Sequence, residues 1–461
     1  MKKSLMFVAV AAAGMLASCS SESLTGSDPK IEPTQDDRVP IEITVASPEV
    51  KGATRSVGTV GDVTGGTNIW QGEKVNVFMF KKGTLTLATS DGETVSLTNP
   101  ALYDDVALTT PNDGTSASGI AYEYYDSDAT LGDDRVRYKY YPANGNFDFW
   151  GYFRDDAGTT APTIGATEVT VPFTITGAQD LMVAKAVPTG AQNTTIGGWA
   201  AADQDRYYSA FAARRTVQPD MTFKHLLTRL TFSVVGYDND ACGFTGGGSL
   251  PGSGVYTGVF VKSIKVKSKF TGEIIAAYTG ADRTPSQLIS FDTSVGPNND
   301  GYDMLSLGTE RGARTANQVD PLYPSAFTPA NWADNTFMTS ALTIGGTYWA
   351  DIMRPTSTTT GQPVGGALLV STESASYYIE VELGQYLLES EDMPVGSGNN
   401  PEYKIVYSTY KGDIYPESPD TEFKQGYSYN VKMTLYSYKK IEIKTTLEDW
   451  KPGTEVPIDA E

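Results

Sequence analysis

The chain has 461 residues, 40% of them hydrophobic and 20% charged, with 46 Gly, 27 Tyr and a formal net charge of −20. That length exceeds one ordinary hydrophobic core, so two domains are expected. The acidic balance argues against nucleic acid as a partner, because phosphates call for clustered Lys and Arg, and against docking on anionic lipid by charge. It fits the solvated surface of an exported protein.

Residues 1–18 read as an export signal. Lys2 and Lys3 form its charged start, and Leu5 opens an apolar run to Met15 that is too short to span a bilayer. The run closes on Leu16-Ala17-Ser18-Cys19, which resembles the lipobox of bacterial lipoproteins. There, small residues fit the signal peptidase and the cysteine sulfur takes a diacylglyceryl group. Residues 20–39 are rich in Ser, Asp, Glu and Pro and form a solvated tether. Ile41-Glu42-Ile43-Thr44-Val45 then alternates apolar and polar, the period of a half-buried strand. A basic turn follows, Lys51-Gly52-Ala53-Thr54-Arg55-Ser56. Residues 19–55 thus carry an anchor, a strand and a candidate protease site in that order.

Residues 56–217 form the expected first domain. Over residues 73–80, Val75, Val77 and Met79 share one face. Residues 137–142 and 146–152 read as aromatic strands. Residues 169–175 alternate around Pro172, whose missing N–H places that strand at a sheet edge. Leu181-Met182-Val183-Ala184 is the last strand expected before a small, polar stretch from Pro188 to Asp220, and the domain boundary is set near 217. Residues 218–461 form the second domain. It opens on Met221 and brings Leu230, Phe232 and Val234 onto one strand face. Further strands are expected over 259–267, 367–370, 377–383, 403–407, 427–435 and 441–444. Many short strands between Gly- and Pro-marked turns, without long helical periodicity, make the fold class all-β.

Catalytic chemistry has little to work with. His225 is the single histidine, so Ser-His-Asp, Cys-His and His-rich zinc sites are disfavoured, and a packed, hydrogen-bonded role is expected for it. If Cys19 takes lipid, no second cysteine remains to form a disulfide with Cys242. Phosphate-loop and dinucleotide motifs are absent. The loop holding Asp292, Asn298, Asn299, Asp300 and Asp303 resembles a calcium loop only loosely; Pro297 and the missing closing Glu break the pattern, and a solvated turn is expected. No enzyme activity, metal or cofactor is expected. Tyr138, Tyr140, Tyr141, Phe147, Phe149 and Trp150 could stack on sugars, but strand spacing makes them core. A monomeric glycan-binding surface lipoprotein is the alternative those aromatics and the Asn/Asp-rich loops raise.

In their order along the chain, several motifs resemble the fimbrillin-like proteins, the type V pilins and minor fimbrial subunits of Gram-negative anaerobes. They are the lipobox, the strand and basic turn up to Arg55, and Ile69-Trp70 leading into residues 75–80. Tyr140-Tyr141-Pro142 before residues 147–152, Gln179-Asp180-Leu181-Met182 and Phe223-Lys224-His225-Leu226-Leu227-Thr228-Arg229-Leu230 complete the series. The resemblance implies two tandem transthyretin-like β-sandwiches and export to the outer membrane as a lipoprotein attached through Cys19. It implies an Arg- or Lys-specific protease cutting between Arg55 and Ser56, with Lys51 and Arg38 as poorer sites. The first strand, with Ile41, Ile43 and Val45, would leave, and a strand of another fimbrial subunit would fill its groove. The donor would come from residues 441–458, with Ile441, Ile443 and Leu447 as pocket fillers. Trp450 covers the sandwich end in one version, and Pro452 and Pro457 interrupt pairing.

Overall fold

The computed structural model describes residues 38–46, 70–111, 118–123, 139–155, 160–238, 241–242, 259–307, 343–344, 347–348, 355–388, 403–436 and 441–448, apart from single or paired residues within those runs. The chain divides into two units, Met1–Arg38 and Val39–Glu461, and every described strand lies in the second. The fold is all-β, as the strand patterning leads one to expect.

The N-terminal strands are β1 (Ile43–Ala46), β2 (Lys74–Lys81), β3 (Val106–Thr109), β4 (Ser118–Ala121), β5 (Phe147–Arg154), β6 (Thr163–Ile164), β7 (Glu168–Thr174) and β8 (Leu181–Lys185). Two short helices follow, α1 (Gly190–Gly197) and α2 (Ala210–Ala213). After them come β9 (Asp220–Thr222), β10 (Lys224–His225), β11 (Thr228–Gly236), β12 (Val259–Lys269), β13 (Thr271–Tyr278), β14 (Ile289–Phe291) and β15 (Tyr302–Ser306). The remainder are β16 (Thr343–Ile344), β17 (Thr347–Tyr348), β18 (Gln362–Pro363), β19 (Leu368–Val370), β20 (Tyr377–Leu388), β21 (Tyr403–Ile414), β22 (Ser428–Leu435) and β23 (Ile441–Glu448).

The central sheet runs β10-β8-β5-β2-β3 and is covered on both faces. That is why β2, β5 and β8 carry buried apolar residues on both faces rather than at alternate positions alone. Val75, Val77 and Met79 of β2, Phe147, Phe149 and Phe153 of β5, and Met182 and Ala184 of β8 enter one core, shared with the sheet β4-β1-β9. Phe78, Phe80, Trp150, Tyr152, Leu181 and Val183 enter the other. There they join β7 and β13 of the sheet β14-β13-β7-β6, with Trp150 edge-on to Tyr278 at a centroid distance of 4.6 Å. The same core continues into the sheet holding β11 and β22 and the sheet β15-β12-β20-β21.

Pro172 stands opposite Glu273 of β13, and its carbonyl takes a hydrogen bond from Arg154 at 2.7 Å. β6 reaches only Val169 and Thr170, so the outer side of β7 is open at the proline. Strand pairing crosses residue 217 in both directions. β9 and β10, beyond it, pair with β1 and β8, while β7, before it, pairs with β13.

Candidate functional site: the seat of the first strand

β1 is the middle strand of its sheet. It runs antiparallel to β4, with Ile43 opposite Ala121 and Val45 opposite Gly119, and parallel to β9, with Thr44 beside Asp220 and Val45 beside Met221. The pairing begins upstream of the strand proper. Ile41 N donates to Lys139 O at 2.8 Å and Tyr141 N to Val39 O at 3.0 Å on one edge. On the other edge Thr44 N donates to Pro219 O at 3.0 Å and Phe223 N to Ala46 O at 3.0 Å. The segment is held on both edges by chain that lies far away in sequence.

Side chains alternate over the whole segment. Val39, Ile41, Ile43 and Val45 are 9%, 3%, 1% and 0% exposed, and Pro40, Glu42, Thr44 and Ala46 are half-buried on the outer face. The four inward residues share their core with Trp70, Tyr141, Phe149, Met221 and Phe223. Aromatic contacts stiffen that floor: Trp70 meets Phe223 edge-on at 5.7 Å and Tyr141 meets Phe149 edge-on at 6.2 Å. At roughly 1.5–3 kcal/mol per buried aliphatic side chain, the four contribute about 6–12 kcal/mol as an upper estimate. Two glycines set the close approaches around the seat. A Cβ on Gly119 would lie 2.7 Å from Pro111 Cγ, and one on Gly151 would lie 2.6 Å from Met221 Cε.

The polar groups at the seat are few. Burial pushes the phenols of Tyr103, Tyr141 and Tyr208 well up, so each remains a neutral O–H group. Burial also raises the Asp220 carboxyl, which sits beside Thr44. Among the described residues, what the seat offers its strand is main-chain hydrogen bonding and an apolar floor.

Of the site residues expected from sequence, Ile41, Ile43 and Val45 all point into this core. Cys19, Arg55 and Ser56 lie outside the described residues, as do Tyr138, Trp450, Pro452 and Pro457. Ile441, Ile443 and Leu447 belong to β23, at register positions opposite Leu435, Met433 and Tyr429 of β22. β23 closes one edge of that sheet. Tyr141, Phe147, Phe149 and Trp150 are core, while Tyr140 is partly exposed. His225 is buried with Nδ1 2.8 Å from Asp180 Oδ2. The acids of the 292–303 loop serve as turn acceptors: Asp292 takes Ser294 Oγ, Asp300 takes Tyr302 N and Lys267 Nζ, and Asp303 takes Met304 N. Among the described residues no cluster of three or more His, Cys, Asp or Glu is placed to hold a metal, and no helix is long and apolar enough to cross a membrane.

Two residues of the seat escaped the sequence reading. Val39 continues the alternation upstream through Val39-Pro40-Ile41, and the signal was there, hidden by the proline. Gln218 had no sequence signal. Its side chain reaches across to the first strand, with Nε2 donating to Pro40 O at 2.9 Å and Oε1 accepting from Glu42 N at 3.4 Å.

No protein-family model matches the chain, and no curated protein does. Among solved structures, it is similar to a candidate cell adhesion protein from Bacteroides uniformis, with 11% identity, a TM-score of 0.39, and coverage of 91% of this chain and 100% of the other. A second candidate cell adhesion protein, from Bacteroides ovatus, has 14% identity and a TM-score of 0.37 over 90% of this chain and 99% of the other. The fimbrial anchor protein Mfa2 from Porphyromonas gingivalis has 8% identity and a TM-score of 0.29 over 89% of this chain and 98% of the other.

Proposed function

We propose that the protein is a structural subunit of a cell-surface fimbria that contributes to adhesion and assembles by β-strand exchange triggered by proteolysis. In this reading residues 56–217 and 218–461 are two tandem transthyretin-like sandwiches, and residues 1–18 are removed on export. Cys19 carries lipid and holds the subunit at the outer membrane. An Arg/Lys-specific surface protease cuts between Arg55 and Ser56. The lipid anchor and the first strand then leave together, and a segment drawn from residues 441–458 of another subunit takes the vacant place. Ile441, Ile443 and Leu447 are its first candidates for the pockets.

One observation supports the reading above the others: a strand near the N-terminus is the middle strand of its sheet. Loss of residues 39–46 takes from β4 and β9 the strand that each pairs with in this sheet among the described residues, and uncovers the pockets of Val39, Ile41, Ile43 and Val45. An unpaired ladder above an apolar trough is unstable in water and is repaired by any strand that offers main-chain groups and alternate apolar side chains. Donor and acceptor are different surfaces, so the contact is head-to-tail and propagates.

Digestion of the purified chain with an Arg-specific protease tests this. The expected product starts at Ser56 and forms polymers seen by electron microscopy, and Arg55→Ala blocks both. Polymers from an Arg55→Ala chain that still begins at Cys19 would overturn the proposal.

A further inference from the structure

We infer that the Gln218 side chain reads the backbone of whichever strand occupies the groove, and that the strand it is matched to in a second copy is Val456-Pro457-Ile458-Asp459. The inference rests on the strand-exchange reading and fixes one donor and one register, at the end of the 441–458 segment and one residue beyond it, in place of Ile441, Ile443 and Leu447 as pocket fillers.

In a parallel ladder, one residue gives its N–H to the carbonyl before its partner and takes an N–H from the residue after it. The Gln218 amide makes that pattern around Ile41, donating to Pro40 O and accepting from Glu42 N. It stands in for main chain that is engaged elsewhere. Val217 N bonds Ala212 O, Gln218 O takes Gln192 Nε2 at 2.8 Å, and Thr216 turns the chain away at φ +62°. The same Gln192 closes the capping box of α1 through Thr189, which fixes it in place. Tyr141, from the opposite wall of the groove, donates its O–H to Gln218 Oε1 at 3.2 Å. That bond involves no atom of residues 39–46, so the amide stays aimed at an empty groove. Its orientation is forced, since a carbonyl only accepts and a peptide N–H only donates.

The pattern asks for a carbonyl at one position and a free N–H two residues later. Proline satisfies the first requirement and fails the second. The resident strand obeys this rule with Pro40 followed by Glu42. Residues 456–459 repeat Val39-Pro40-Ile41-Glu42 with a single conservative change, Asp459 for Glu42. Pro457, an interruption in ordinary pairing, falls where Gln218 requires only a carbonyl. Ile441, Ile443 and Leu447 then keep their places opposite β22 while the tail beyond them is given away.

Two measurements test this. On the intact chain, Gln218→Leu is expected to speed amide hydrogen exchange at Glu42 about tenfold, leaving Ile41 and Thr44 near their wild-type rates. Equal acceleration at all three, or none at Glu42, would assign Gln218 a merely structural role and overturn the inference. On the protease-processed chain, a synthetic peptide of residues 454–461 is expected to compete with polymer formation. Its analogue N-methylated at Asp459 should bind about tenfold more weakly, and this difference should vanish in Gln218→Leu. If polymers form and neither peptide competes, strand exchange stands and this donor falls. If the processed chain forms no polymer, strand exchange itself fails.

Discussion

β1 and β11 occupy the same kind of place and are held very differently. Each lies between an antiparallel neighbour, β4 for β1 and β18 with β19 for β11, and a parallel one, β9 or β22. β11 is nine residues long, buried at all but Thr231, and registered with β22 over eight positions. Even its Arg229 is buried, donating to Ser428 Oγ at 3.2 Å. β1 is four residues long, buried on one face only, and registered with β9 over three. β22 is flanked in turn by β23, whereas β9 ends its sheet. A similar position in the topology therefore comes with very different amounts of burial and pairing. The two strands differ in the number of buried side chains and ladder bonds that hold them.

Paired truncations would break this comparison most directly. Phe232→Ala in β11 is expected to cost about 3–5 kcal/mol and to lower the main urea transition of the whole protein. Ile43→Ala in β1 is expected to cost about 2–5 kcal/mol locally. Its effect should appear as faster amide exchange at 39–46, 118–121 and 219–223, with the main transition retained. Equal loss of the main transition in both variants would show that β1 is as integral as β11.

A smaller effect sharpens the description of the seat. Gly151→Ala places a methyl 2.6 Å from Met221 Cε and 3.1 Å from Asn76 O. Overpacking there is expected to cost about 1–3 kcal/mol and to loosen β9 before any C-terminal strand. Exchange of the Phe223 amide, which bonds Ala46 O, is the readout.

The smallest expected effect concerns pH. Burial raises the Asp220 carboxyl above its ordinary 3.8, so between that value and the raised one the folded state holds the extra proton. Stability from this group therefore falls as pH rises through the window and stays lower above it. Asp220→Asn should be more stable than wild type near neutral pH, with the advantage disappearing as pH drops below the ordinary carboxylate range. Thermal unfolding of both proteins across that range is the check, and an advantage independent of pH would refute the assignment.

Much of the strand content was legible because a strand's period is local. Val75, Val77 and Met79 announced one face of β2, and Ile41, Ile43 and Val45 announced the first strand. Phe78 and Phe80 on the opposite face of β2 are equally buried, a fact that depends on a second sheet and that alternation alone does not reveal. The expected division at 217 follows a change in composition, while β9 and β10 beyond it pair back to β1 and β8.

For the seat itself, sequence alone determined three of the four inward residues, Ile41, Ile43 and Val45, because apolar alternation is written in consecutive side chains. Only the tertiary structure decided their neighbours. β1 lies between β4 and β9 because of long-range hydrogen bonding to main chain, which carries no residue-type signal. Gln218 acts as a piece of strand because its own main chain is already bonded elsewhere, a condition no local pattern encodes.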